Sequence, residues 1–229
     1  MPNGLTVTAA ELTRLRHKAT RADTRRRRRH ARATSKTVQV WVRRAFAREG
    51  GPTRCSPYAA HMRWILLLRA INLGPTNKVA MKDLTHVLDG LGHTGVKTYL
   101  NSGNAVFHST ARSAKRIAGD VELALNETLG LNVRACVRTD AELRAALDDL
   151  PDLPGYVTVT VLFDTPTAKA LADFLDTDWS PEVVGGNDQV LYLGFQNAAR
   201  TKLTLAKIEK ALGVAATART PATLRKLLA

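Results

Sequence analysis

From residue 62 onward the apolar positions change period at near-regular intervals, and each change marks an element. Trp64 to Arg69 holds Ile65-Leu66-Leu67-Leu68, a run too short for a helix and continuous enough for a strand buried on both faces. Met81, Leu84, Leu88 and Leu91 follow at helical spacing, with Gly92 placed to end the helix. Val96 to Leu100 and Asn104 to Phe107 make a hairpin around Ser102-Gly103. Ser113 stands where it can cap a helix carrying Ile117, Val121, Leu125 and Leu129, closed by Gly130, and Asn132 to Val137 reads as a last strand. The order is β-α-β-β-α-β.

The same order then returns. Thr139 and Glu142 have capping-box spacing and open a linking helix with Leu143, Leu147 and Leu150 on one face, stopped by Pro151 and Pro154. Val157 to Phe163 is a strand, and Pro166 opens a helix with Leu171, Phe174 and Leu175. Glu182 to Val184 and Gln189 to Leu193 pair through Gly185-Gly186-Asn187-Asp188. Thr201 starts a helix with Leu205, Ile208 and Leu212, ended by Gly213; Val214 to Ala218 is a short strand and Pro221 to Leu228 a final helix. Each series is a split βαβ unit, so the fold class is α+β, two ferredoxin-like (βαββαβ) plaits over residues 62–138 and 139–229. A first strand apolar on both faces needs cover on both, and the second plait is the cover; two packed plaits are expected.

Charge separates the first quarter of the chain from this pattern. The net charge is +14, but residues 1–61 alone hold fifteen Lys and Arg, five of them in the run Arg25 to Arg29, against three acidic residues. That leaves a body close to neutral. Short helical stretches at Glu11 to Lys18 and Val38 to Arg48 give way to Gly50-Gly51-Pro52 and Ser56-Pro57. The preferred reading is a disordered or misassigned basic extension. A nucleic-acid-binding arm is the alternative, with an Arg-rich targeting peptide behind it. Any nucleic-acid contact is thus expected through residues 1–61. No apolar run is long enough to cross a membrane, and Cys55 and Cys136 stand alone, which suits a reducing cytoplasm better than a disulfide or zinc framework.

Candidate chemistry gathers at two places. Arg69, Asn72, Asn77 and Lys78 lie at or just past the end of the first strand, and Asn101, Ser102 and Asn104 flank the hairpin turn. Together they offer an Arg fork, a Lys point charge and neutral donors, the chemistry of a small-anion site. The structural alternative has the Asn and Ser side chains serving turn backbones and Arg69 paired with a carboxylate such as Asp83. The hairpin is expected to spring from the opposite end of the plait, so the two groups join only if the second domain or the long loop unites them. Arg200 and Lys202 flank the start of a late helix, a weaker anion candidate. No P-loop, Gly-x-Ser-x-Gly elbow or zinc spacing occurs; His86 and His93 read as a solvated pair, and no cofactor or catalytic residue is assigned. With only Phe107 on NAVF and Trp64 opening the first strand, the aromatics of a sheet-face RNA reader are missing.

RAINLGPTNKVAMKDLTHVLDGLGHTGVKTYLNSGNAVF resembles the opening signature of the DUF1697 family of bacterial proteins: Arg-x-Ile-Asn-x-Gly, Asn-Lys-Val-x-Met and Tyr-x-x-Ser-Gly-Asn-x-x-Phe. Tyr192, Lys202-Leu203 and ATARTPATLRKLL resemble its tail. Two departures are Gly74-Pro75-Thr76-Asn77, where the family often has Gly-Gly-Lys-Asn, and Thr220-Pro221, where Asn-Trp frequently follows the Arg. The resemblance spans about residues 62 to 229. It implies paired ferredoxin-like domains and no activity. The expected function is binding of a small anionic ligand near Arg69 and Lys78, with a nucleic-acid-binding protein or a protein–protein adaptor as the alternatives.

Overall fold

The structure is a computed structural model that describes residues 61–72 and 77–229. The basic segment, apart from His61, and Gly74-Pro75-Thr76 lie outside the described residues. The first strand, β1 (Met62–Leu68), is followed by α1 (Met81–Gly90), β2 (Thr94–Tyr99), β3 (Asn104–Ser109), α2 (Ala114–Leu129) and β4 (Ala135–Thr139). A linking helix, α3 (Asp140–Asp148), leads to β5 (Tyr156–Leu162), α4 (Ala168–Leu175), β6 (Val183–Gly186), β7 (Val190–Phe195), α5 (Leu205–Leu212), β8 (Ala216–Arg219) and α6 (Pro221–Leu228). The two antiparallel sheets have equivalent strand orders, β2-β3-β1-β4 and β6-β7-β5-β8, as two βαββαβ units require. None of the helices among the described residues is long and apolar enough to cross a membrane.

Most boundaries follow local chemistry that the sequence announces. Ser113 Oγ accepts the Arg116 N–H and Gly130 closes α2 in the left-handed region, while Thr139 and Glu142 complete a capping box at α3. Elsewhere the caps shift the expected ends. Thr167, not Pro166, caps α4 by accepting the Ala170 N–H. Thr201 Oγ1 instead accepts the N–H of Leu203, two residues on, in a local turn, so α5 waits for Thr204, which accepts from Lys207. Gly185 and Gly186 belong to β6, paired with Tyr192 and Leu191; the turn pivots on Asn187, whose Oδ1 accepts the Gln189 and Val190 N–H groups. β4 starts three residues later than expected because its pairing with β1 begins at Ala135 opposite Leu68 and runs on to Thr139 opposite Trp64.

Alternation along β1 divides two cores. Leu66 and Leu68 face α1 and α2 with Phe107, Ile117, Val121 and Leu125. Ile65 and Leu67 face the second sheet, packed with Val159, Val161, Val190 and Tyr192, and Leu143 of α3 and Leu224 and Leu227 of α6 join them. A third core lies between the second sheet and its helices, around Phe174, Ile208 and Leu212. The sheets therefore bury a face each against the other. Phe107 faces the helices, stacked on His93 with ring centroids 4.5 Å apart. His93 is thus buried rather than solvated, and burial lowers its pKa, with Asp120 pulling weakly the other way.

Polar contacts fix how the halves dock. Arg63 donates to the Leu227 carbonyl at 2.7 Å and Arg144 to the Leu228 carbonyl at 2.8 Å, so two first-half and linker cations sit at the negative end of α6, both paired with Asp140. Arg138 donates to the Leu162 carbonyl.

Candidate functional site

β1 and β3 run antiparallel with Leu67 opposite Asn104, so the β2–β3 hairpin tip lies beside the C-terminal end of β1. The expectation that the two groups start from opposite ends is corrected by this register: β2 runs parallel to β1, and its tip must finish where β1 finishes. The joint is direct. The Leu68 N–H donates to the Gly103 carbonyl at 2.8 Å. Asn72 acts as a clip, its Nδ2 donating to the Val79 carbonyl at 2.9 Å and the Asn101 carbonyl at 2.6 Å while its Oδ1 accepts the Val79 N–H at 3.0 Å. The Asn72 N–H reaches the Asn77 carbonyl at 3.1 Å and closes the loop.

Backbone conformation sets this end apart. Four non-glycine residues among the described ones have positive φ: Ala70 at 51°, Asn72 at 56°, Asn77 at 52° and Leu100 at 57°. All four belong to the loop after β1 or to the hairpin tip. The left-handed region costs Ala70 and Leu100 on the order of 1 kcal/mol each, and Asn72 and Asn77 less, because a short polar side chain tolerates it; the contacts around the loop hold the conformation.

The candidate residues divide by what their polar atoms already hold. Arg69 makes a fork to Glu209 of α5, Nε to Oε1 at 2.6 Å and Nη2 to Oε2 at 2.5 Å; its carboxylate partner is Glu209 rather than Asp83. Burial pushes the Glu209 carboxyl up, but the bonds from Arg69 and the Ala216 N–H, with the Arg69 and Arg134 charges, outweigh it and hold Glu209 below its ordinary value. Asn104, one of the residues that flank the turn, is fully buried. Its Nδ2 donates to the Tyr99 carbonyl at 3.0 Å and to Ser102 Oγ at 2.8 Å. Lys78, Leu100 and Asn101 are exposed, and Asn77 and Ser102 are partly exposed.

The residue missed in the sequence is Arg219, on β8. Its Nε donates to Asn104 Oδ1 at 2.6 Å. Nη1 reaches Thr217 Oγ1 and the Ala218 carbonyl, both at 2.8 Å. Nη2 reaches the Leu68 carbonyl at 2.8 Å and the Ser102 carbonyl at 3.0 Å. Five N–H groups meet five acceptors, and every acceptor is neutral. Burial pushes the guanidinium down to about 10, still far above neutral pH, so the charge stays. Period-2 alternation along β8 puts Arg219 on the same sheet face as Thr217, whose hydroxyl also meets the Leu68 carbonyl; the strand expected from the sequence ends at Ala218 and stops one residue short of it.

Arg200 and Lys202 are exposed and precede α5 rather than flank its first turn. They follow Phe195, which pairs with Tyr156 at the start of β5, whereas Glu209 is tied to Ala216 opposite Leu162 at its end. No hydrogen bond among the described residues joins them to the hairpin cluster. Cys136 is buried between the sheets, and burial pushes its thiol up to about 11, the reverse of an activated nucleophile. No group of three or more His, Cys, Asp or Glu among the described residues is arranged to hold a metal. A depression of about 320 Å³ beside α4, lined by Lys169, Asp173 and Trp179, lies on the outer face of the second half.

The comparisons with known proteins agree with this architecture. The family described as "Protein of unknown function (DUF1697)" matches residues 62–192, which covers the β1 loop, the hairpin and the strands up to Tyr192. The chain belongs to the DUF1697 family. Among solved structures it is similar to a conserved bacterial protein from Streptococcus pneumoniae, with a TM-score of 0.59 and 23% identity over 74% of this chain and 98% of that one. At that identity the likeness is one of fold. No curated protein matches the chain. Within this DUF1697 chain, Asn72, Asn77, Ser102, Gly103 and Asn104 of the motifs assemble at one end of one sheet.

Proposed function

We propose that this DUF1697 protein binds a small anionic ligand at the end of its first sheet, where the loop after β1 meets the β2–β3 tip. The observation that carries this reading is the gathering of all four left-handed non-glycine residues of the described chain at that end. Asn72 and Asn77 take this conformation readily, but Ala70 and Leu100 do not, and strain held in place by a side-chain clip favours a preorganised surface. Lys78, Asn77, Asn101 and Ser102 supply a cation and neutral donors on the outside, while Asn72, Arg69 and Asn104 hold the frame beneath. Arg200 and Lys202 stand apart and are left out of the site. No reaction is assigned to it. Two isolated cysteines, one of them buried and unpaired, suit work in a reducing cytoplasm.

A thermal-shift screen of phosphorylated and carboxylated metabolites tests the reading, followed by titration of any hit. Lys78→Ala is expected to weaken a hit about tenfold, a typical loss for one charge-assisted contact, and to leave the melting temperature of the unliganded protein unchanged. Hits unaffected by both Lys78→Ala and Asn101→Ala would place the ligand elsewhere and remove the proposal.

A further inference from the structure

The two arginines at this end of the molecule are not equivalent. Arg69 is partly exposed, but its charge is cancelled by the Glu209 carboxylate in a two-bond fork. Arg219 is mostly buried, and its five donors end on two side-chain oxygens and three backbone carbonyls, none of them ionised. No carboxylate among the described residues pairs with it. A cation in such a cage keeps its full positive field, and in a weakly polarisable interior that field is screened far less than a surface charge is. The guanidinium stands one hydrogen bond beneath Ser102 and Asn104, which puts the field at the hairpin tip.

We propose that Arg219 of the second domain supplies, from beneath the surface, the positive potential that selects an oxyanion at the hairpin tip of the first. The proposal rests on the binding reading above and deepens it: the ligand class is a small molecule bearing a phosphate or carboxylate. Arg219 has no donor left over for the ligand, so it is a positioning residue and not a contact. Lys78 and the exposed tip donors make the contacts. The arrangement also gives the paired plait a purpose, because the first domain alone presents the tip without the charge.

Charge and shape can be separated by paired substitutions. Asn104→Asp sets a carboxylate at the position of the Arg219 Nε acceptor and cancels the charge, but it also loses the Nδ2 donations to the Tyr99 carbonyl and Ser102 Oγ; Asn104→Ala loses the same donations without adding a charge, so the difference between the two reads the charge. Arg219→Lys keeps the charge and loses the fork. Binding of inorganic phosphate is measured by equilibrium titration of the full chain at fixed ionic strength, with circular dichroism melts to show that each variant is folded. Wild type is expected to bind saturably, Asn104→Asp to bind about tenfold or more weakly than Asn104→Ala, and Arg219→Lys to stay within about threefold of wild type. A folded Asn104→Asp that binds as Asn104→Ala does overturns the proposal and leaves the binding reading standing. A wild type with no saturable phosphate binding removes both. Should Asn104→Asp fail to fold, Arg219→Gln takes its place: binding kept by Arg219→Lys and lost by a folded Arg219→Gln supports the role of charge, and a folded Arg219→Gln that binds as wild type does overturns it.

Discussion

At the scale of single residues, Asn101 and Asn104 show how two asparagines around one turn come to opposite uses. The Asn101 side chain points to solvent, and only its carbonyl is used by the fold, through Asn72. The Asn104 side chain is buried and joins Tyr99, Ser102 and Arg219. Asn101→Ala is therefore expected to change stability by less than about 0.5 kcal/mol. Asn104→Ala leaves a buried guanidinium N–H and the Tyr99 carbonyl without partners and is expected to cost roughly 3 kcal/mol. Denaturant unfolding of both variants measures the contrast; equal effects would contradict the assigned bonds. Glu209 gives a second residue-level expectation. Its carboxyl is held below the ordinary value in the folded state, so its contribution is present above the unfolded value of about 4.3 and is lost as pH falls through the lower folded one. Glu209→Gln is expected to be less stable than wild type at neutral pH, with the gap narrowing below about pH 4.3. A gap that stays constant down to acid unfolding would contradict the Arg69–Glu209 fork.

At the scale of elements, the hairpin tip is packed onto β1 rather than draped over it. Gly103 has φ +73°, and a Cβ there would lie 2.6 Å from Leu68 Cβ and 2.7 Å from Ile71 Cδ1. Gly103→Ala meets both a left-handed backbone and a close neighbour, and is expected to lower stability by about 2 kcal/mol or more in a thermal melt. A neutral effect would mean that the tip is loosely held. Element order was legible from the sequence because period and caps are local: Ile65 to Leu68, Ser113 with Gly130, and Thr139 with Glu142 carry their instructions within a few residues. What failed to read was set by partners distant in sequence. β4 begins where β1 offers it a register, Thr201 loses the helix cap to Thr204, and His93 is buried by Phe107. The site was legible in the same degree. The β1 loop and tip residues stood out by type, but Glu209 and Arg219, which lie 140 and 115 residues from their partners Arg69 and Asn104, could not be paired by any local pattern.

At the scale of the molecule, the two plaits share a core, and the same docking that buries Ile65, Leu67, Val159 and Tyr192 carries Arg219 to the underside of the hairpin. The second βαββαβ unit therefore both covers the first sheet and reaches its tip. The claim on which the account turns is that anions gather at this tip and not at Arg200 and Lys202. Amide chemical-shift mapping of the full chain with inorganic phosphate, at fixed ionic strength, puts that claim to the test most directly. The account expects saturable shifts at Lys78, Asn101, Ser102 and Gly103, with Arg200 and Lys202 unmoved. Shifts centred on Arg200 and Lys202, with a silent hairpin tip, would contradict it.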